Sequence, residues 1–146
     1  MTHDTATHPT VGACQFEPAI GDEDANIATI RHLASANRDA AVLVFPELAV
    51  TGYDVDTAIK AATPVPGPIT ERLRDIAAET ETTLVVGLPE RDDDVYNDLV
   101  AVSGDGVEAV YRKQYAWGDE AGAFRTGDSP VTVETPAGTL GFLLCY

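Results

Sequence analysis

Residues 40–46 read Ala-Ala-Val-Leu-Val-Phe-Pro, with Glu47 next. The run is apolar without alternation, which is how a strand covered on both faces reads. Pro46 ends it, because proline has no N–H to give to a sheet ladder. Upstream, Asp22 can cap a helix that carries Glu23 and Asp24 at its positive end. Ile27, Ile30, Leu33 and Ala34 share one face of that helix, with Arg31, His32 and Arg38 toward its negative end. Before it, residues 11–16 are expected to form a short strand closed by Glu17-Pro18.

Downstream, Gly52, Pro64, Pro66 and Gly67 mark a loop. Pro68, at a first-turn position, opens a second amphipathic helix with Ile69, Leu73, Ile76 and Ala77 inward. Strand returns over residues 83–88. Asp92-Asp93-Asp94 and Ser103-Gly104-Asp105-Gly106 are turn chemistry between apolar runs at 95–102 and 107–111, so the sheet is mixed. A loop over 114–130 leads to strands at 131–133 and 139–144, joined at Pro136-Ala137-Gly138. Strand, helix, strand, helix, strand and then hairpins place the chain in the α/β class, with helices packed on a mixed sheet.

Composition narrows what such a domain can bind. The 146 residues carry 24 acids and 9 bases, a formal charge of -15, which repels phosphate backbones and anionic lipid faces. No nucleic-acid or membrane partner is therefore expected. Hydrophobic residues make up 45%, enough for a real core. Lys60 and Lys113 are the only lysines, and an acidic, lysine-poor surface is expected of a halophilic protein. The polar leader over residues 1–9 is read as disordered and resembles no signal peptide, and no apolar run approaches the roughly 18 residues of a membrane helix. A cytoplasmic location is expected. Cys14 and Cys145 are too few for a disulfide framework and are read as reduced thiols.

Open α/β sheets bind ligands beyond the carboxyl ends of their strands. Three apolar runs here end in a chemically capable side chain: Glu47, Lys113 and Cys145. A carboxylate, an ammonium and a thiol supply a base, an oxyanion stabiliser and a nucleophile, the minimum set for acyl transfer. Singly, each has a plainer reading: a solvated strand end, a snorkelling lysine, a small buried hydrophobe. Cys14, inside a strand and without an acid or base beside it, keeps that last reading.

The local sequences decide more. Phe45-Pro46-Glu47-Leu48-Ala49-Val50-Thr51-Gly52-Tyr53 resembles the first signature of the carbon-nitrogen hydrolase, or nitrilase/amidase, superfamily. Tyr111-Arg112-Lys113 resembles the second, and Leu140-Gly141-Phe142-Leu143-Leu144-Cys145-Tyr146 the third. Between the last two, Glu120, Phe124 and Gly127 resemble the family's Glu, Phe, Gly segment. The resemblance spans residues 10–146 and covers about the first half of the family's domain. It implies half of a four-layer α-β-β-α sandwich. One departure is Tyr115, where many members carry His two residues after the Lys.

By this resemblance Glu47 is the general base, Lys113 stabilises the oxyanion, Cys145 attacks, and Glu120 helps to position substrate and Lys. The Tyr146 backbone N–H is the second oxyanion donor. Tyr53 and Trp117 are candidates for lining the substrate pocket. The implied substrate is a small amide, carbamoyl compound or nitrile, amides preferred, with no metal or organic cofactor. A homo-oligomer is expected of the complete protein. With only half of the family's sandwich and a carboxyl terminus one residue from the thiol, residues 1–146 alone are expected to be inactive and prone to associate. The competing reading is a truncated remnant or a non-catalytic partner. A Cys-His hydrolase would have to use His32, since His3 and His8 lie in the leader, and a His metal site is equally weak. Asp54, Asp56 and residues 92–94 lack calcium-loop spacing and are read as solvated turns.

Overall fold

The computed structural model describes residues 9–145; the leader, save Pro9, and Tyr146 lie outside them. Five strands form one sheet in the order β1 (Thr10–Ala13), β2 (Ala40–Val44), β3 (Thr83–Arg91), β4 (Val95–Ser103), β5 (Gly106–Arg112). The first three run parallel, and β3, β4 and β5 are antiparallel neighbours. This is the mixed α/β sheet that the apolar runs predict.

Two helices cover one face. α1 (Glu23–Ala36) is capped by Asp22, whose carboxylate accepts from Ala25 N at 3.0 Å. Its Ile27, Ile30 and Ala34 are buried against Leu73 and Ile76 of α3 (Pro68–Thr80) and against Leu43, Val86, Val100 and Val102 of the sheet. The opposite face carries Val42, Val85, Leu99, Ala101 and Tyr111, covered in part by Val133 and Phe142. β2 is thus contacted from both sides, as its unbroken apolar run requires. Val11 and Leu143, both exposed, rim an apolar crevice of about 140 Å³ on this second face.

Three expectations need correction. The stretch between Gly52 and Gly67 is not all loop: it holds α2 (Val55–Ala61), capped by Asp54, which accepts from Thr57 N at 2.9 Å. Seven residues containing the β-branched Val55, Thr57 and Ile59 carry little helical signal of their own. The last strand stops early. β6 (Thr132–Thr135) and β7 (Gly138–Gly141) form a separate two-stranded sheet, so residues 142–145 run beyond any strand. Finally, no basic residue occupies the last turn of α1. Arg31 pairs with Glu79, and Arg38 donates to the Glu79 carbonyl at 2.6 Å, so both tie α1 to the end of α3.

On the helix-covered side of β4, Asp98 is fully buried and neither of its oxygens accepts a hydrogen bond from a described residue. Burial, then the neighbouring Glu90 carboxylate, push its carboxyl up to about 9, against the pull of Arg112. Arg112 itself donates to Glu90 at 2.7 Å and to Asp92 at 2.9 Å, and stacks on the Tyr96 ring at 3.7 Å. Burial beside the Arg112-paired Glu90 therefore favours the protonated form of Asp98 near pH 7. Between its ordinary 3.8 and about 9 the folded chain holds a proton that the unfolded chain lacks, so stability falls as pH rises through that window. Asp98→Asn, whose amide donates without a titrating proton, should flatten this slope and raise Tm at pH 8 by about 4 °C. Melting curves from pH 6 to 9 test this, and an unchanged slope would count against it.

Candidate active site

Glu47 leaves the sheet at the end of β2 through a tight corner. Phe45 N still donates to Val85 O at 2.8 Å, and Leu48 adopts φ 47 while fully buried with Ala58, Val95 and Phe124. The corner fits because position 87 on β3 is glycine. A Cβ there would lie 2.4 Å from Pro46 O and 2.8 Å from Glu47 Cα. Asn26 of α1 adds a tie, donating to Val50 O at 2.9 Å.

Lys113 follows β5 directly, its N–H bonded to Asn97 O at 2.9 Å and its carbonyl accepting from Gly127 N at 2.9 Å. Gly127 is again a close approach: a Cβ would lie 2.4 Å from Arg112 O. Glu120 ends a single 3₁₀ turn, Gly118–Glu120. Its Oε2 accepts from Trp117 N at 2.9 Å, and its carbonyl accepts from Ala123 N and Phe124 N, both at 3.0 Å.

These segments bring two acids to one base. Lys113 Nζ donates to Glu47 Oε1 at 2.6 Å and to Glu120 Oε1 and Oε2 at 2.9 and 2.7 Å. The three side chains are 4%, 18% and 1% exposed, in the order Lys113, Glu47, Glu120. Burial disfavours the Lys113 ammonium, yet the bonds to Glu120 and Glu47 outweigh it and hold the amine above its ordinary range. Burial likewise opposes a charged Glu120, but Lys113, the Trp117 N–H and Tyr53 hold its carboxyl below the usual range. Glu120 is thus a fixed anion. The Tyr53 hydroxyl is pushed up to about 12 by burial and by the nearby Glu120 carboxylate.

Sequence reading missed one member. Asn97 of β4, 1% exposed, donates from Nδ2 to Glu47 Oε1 at 2.8 Å and to Glu120 Oε1 at 3.0 Å. Its signal was the polar pair Asn97-Asp98 interrupting an apolar strand. Alongside, Tyr53, Trp117, Glu120, Asp54, Asp56 and Asp119 line an open cleft of about 600 Å³. Both aromatics expected at a pocket therefore border one, reached from the Glu120 side.

Cys145 is exposed, with φ 129, a backbone region that non-glycine residues adopt under strain. Its segment is held on the Lys113 side of the sheet by Phe142, whose ring meets Tyr111 edge-on at 6.5 Å. Among the described residues its thiol makes no hydrogen bond to Glu47, Lys113 or Glu120. Cys14 is half-buried against the helix-side core, and burial pushes its thiol up. His32 is exposed on α1. Of the acidic turn, Asp92 meets Arg112, Asp93 accepts from the Tyr96 hydroxyl, and Asp94 accepts from Val95 N. Among the described residues no three His, Cys, Asp or Glu side chains converge as a metal ion would require.

The chain has relatives of known family. The carbon-nitrogen hydrolase family profile matches residues 10–146. A hydrolase of Pseudomonas protegens is 33% identical over 93% of this chain and 50% of its own length, and a nitrilase of Pyrococcus abyssi is 31% identical over 93% and 55%. The NitN amidase of Nesterenkonia sp. AN1 superposes with a TM-score of 0.80 at 25% identity, over 95% of this chain and 58% of that one. A mutant of that amidase shows the Michael addition of acrylamide at its active-site cysteine. The chain spans about half the length of the curated relatives it matches. With the profile matched from the first strand to the last residue, the chain belongs to the carbon-nitrogen hydrolase family.

Proposed function

We propose that the full-length protein hydrolyses a non-peptide carbon–nitrogen bond of a small amide, through a thioester on Cys145. The observation that carries this reading is the buried ammonium of Lys113 held between Glu47 and Glu120. Glu47 takes the Cys145 proton as sulfur attacks the carbonyl carbon, and the negative charge passes to the carbonyl oxygen. A neutral Glu47 holds the ammonium less tightly, so one Lys113 N–H is released toward the oxyanion at the step that creates it. The backbone N–H of Tyr146 would be the second donor. The C–N bond then breaks, Glu47 returns its proton to the leaving nitrogen, and ammonia or an amine departs. Water, deprotonated by the same carboxylate, attacks the thioester, releasing the acid and restoring the thiol.

Glu120, already an anion with every acceptor direction engaged, keeps the ammonium charged and aimed and takes no proton itself. Amides, carbamoyl compounds and nitriles can all present the required electrophilic carbon, and the cleft beside Tyr53 and Trp117 is where their variable part would lie. The test is ammonia release from simple aliphatic amides and nitriles, with intact-mass detection of an acyl group on Cys145 after acid quench. Turnover with an adduct localised to Cys145 is expected. Turnover with no adduct there, or none on any of these substrates, would overturn the reading.

A further inference from the structure

We infer that Asn97 is a positioning residue that selects which oxygen of Glu47 acts as the base, an assignment that rests on the hydrolase reading above. Both protons on Asn97 Nδ2 are committed, one to Glu47 Oε1 at 2.8 Å and one to Glu120 Oε1 at 3.0 Å. Electrostatics fixes this orientation, because a flipped amide would turn its oxygen toward two carboxylates. The same orientation leaves Asn97 Oδ1 buried with no hydrogen-bond partner among the described residues. An orphaned carbonyl is a cost that an apolar side chain of similar size would avoid, so packing alone does not account for asparagine at this position.

What the amide does is visible at Glu47. Oε1 receives both Asn97 and Lys113, at 2.8 and 2.6 Å, while Oε2 accepts no hydrogen bond from a described residue. The two donors therefore occupy one oxygen and leave the lone pairs of the other for the thiol proton. The donors also behave differently once that proton arrives. The pull of the ammonium depends on the carboxylate charge and weakens as Glu47 is neutralised. The amide is uncharged, loses less, and keeps the carboxyl from rotating while Lys113 turns to the oxyanion. Asn97 is thus the tether that lasts through the catalytic cycle, and it couples Glu47 to Glu120 on the far side of the lysine.

The experiment compares wild-type protein with Asn97→Leu, which keeps the volume and removes the donors. Steady-state kinetics on an amide turned over by wild type should show kcat lower by about 30-fold with KM within about twofold, which is about 2 kcal/mol at 1.36 kcal/mol per decade. Thermal melting, read in parallel, should change little. Should Asn97→Leu not fold, Asn97→Ala carries the same expectation for kcat per folded molecule. A variant with wild-type kcat and a lowered Tm would show a purely structural role and overturn the assignment. A raised KM at unchanged kcat would also overturn it. A wild-type protein inactive on amides and nitriles alike would instead overturn the hydrolase reading, and Asn97 with it.

Discussion

Lys113→Met is expected to lower the stability of the folded chain by about 3–5 kcal/mol and to cut amide hydrolysis by about a thousandfold or more. Methionine matches lysine in length but brings no charge. The three N–H donors of Lys113 are all taken by carboxylate oxygens, two of them on Glu120, and the amine is 4% exposed. Without it, Glu47 and Glu120 share only the neutral amide of Asn97. Two acids so placed cannot both stay ionised in a buried site, so the pair must take up a proton or the site must open to water. The sign of the pH dependence separates this from ordinary core damage. In the wild type the Glu120 carboxyl is held below its ordinary 4.5, so its stabilisation is present at neutral pH and lost as pH falls through the lowered value. In the variant the acid pair holds a proton that the unfolded chain lacks, so its stability improves on acidification. The gap in Tm between the two proteins should therefore narrow steadily from pH 8 to pH 5. Lys113→Arg separates charge from shape: it should recover part of the stability and little of the rate, since a planar guanidinium cannot take the place of a compact ammonium. A Lys113→Met protein melting within about 2 °C of wild type at pH 7 would show that the ammonium does not hold the site together.

The sequence carried the framework because the framework is local. The cap at Asp22, the spacing of Ile27 and Ile30, and the unbroken run into Phe45 each depend on residues within one or two turns, and the structure repeats them. The site is different. Glu47, Asn97, Lys113 and Glu120 meet only because β3, β4 and β5 are antiparallel neighbours, with Lys113 N bonded to Asn97 O. Matched family segments pointed to Glu47, Lys113 and Glu120; the local signal at Asn97, a polar pair within an apolar strand, names no partner, and its acceptor lies 50 residues upstream. Gly127 was legible only as part of the matched Glu, Phe, Gly segment and Gly87 not at all, since what requires both is the backbone of another segment lying where a Cβ would go. The early end of β7 has a related cause. Residues 139–144 are apolar enough for a strand, but their partner β6 is four residues long; one further bond, from Phe142 N to Val131 O at 3.2 Å, follows Gly141, and the chain reaches Cys145 as an irregular segment docked by Phe142.

Cys145→Ala is expected to have the opposite profile to Lys113→Met: hydrolysis lost, fold kept. The Cys145 side chain is exposed and makes no hydrogen bond among the described residues, so removing its sulfur should change stability by less than about 0.5 kcal/mol. If the thiol is the attacking atom, alanine offers no electron pair to the carbonyl carbon, and the rate should fall by at least about 10⁴-fold. Whatever activity remains would come from water attacking within the same charge arrangement. Cys14 supplies the control, because it is half-buried on the helix side of the sheet and burial pushes its thiol up. Cys14→Ala should therefore leave the rate within about twofold and cost only the packing of one small side chain. Ammonia release measured for both variants beside their melting curves distinguishes the two thiols. A Cys145→Ala protein that keeps a tenth of the wild-type rate would remove this residue from the chemistry and leave the Lys113 cluster without a nucleophile.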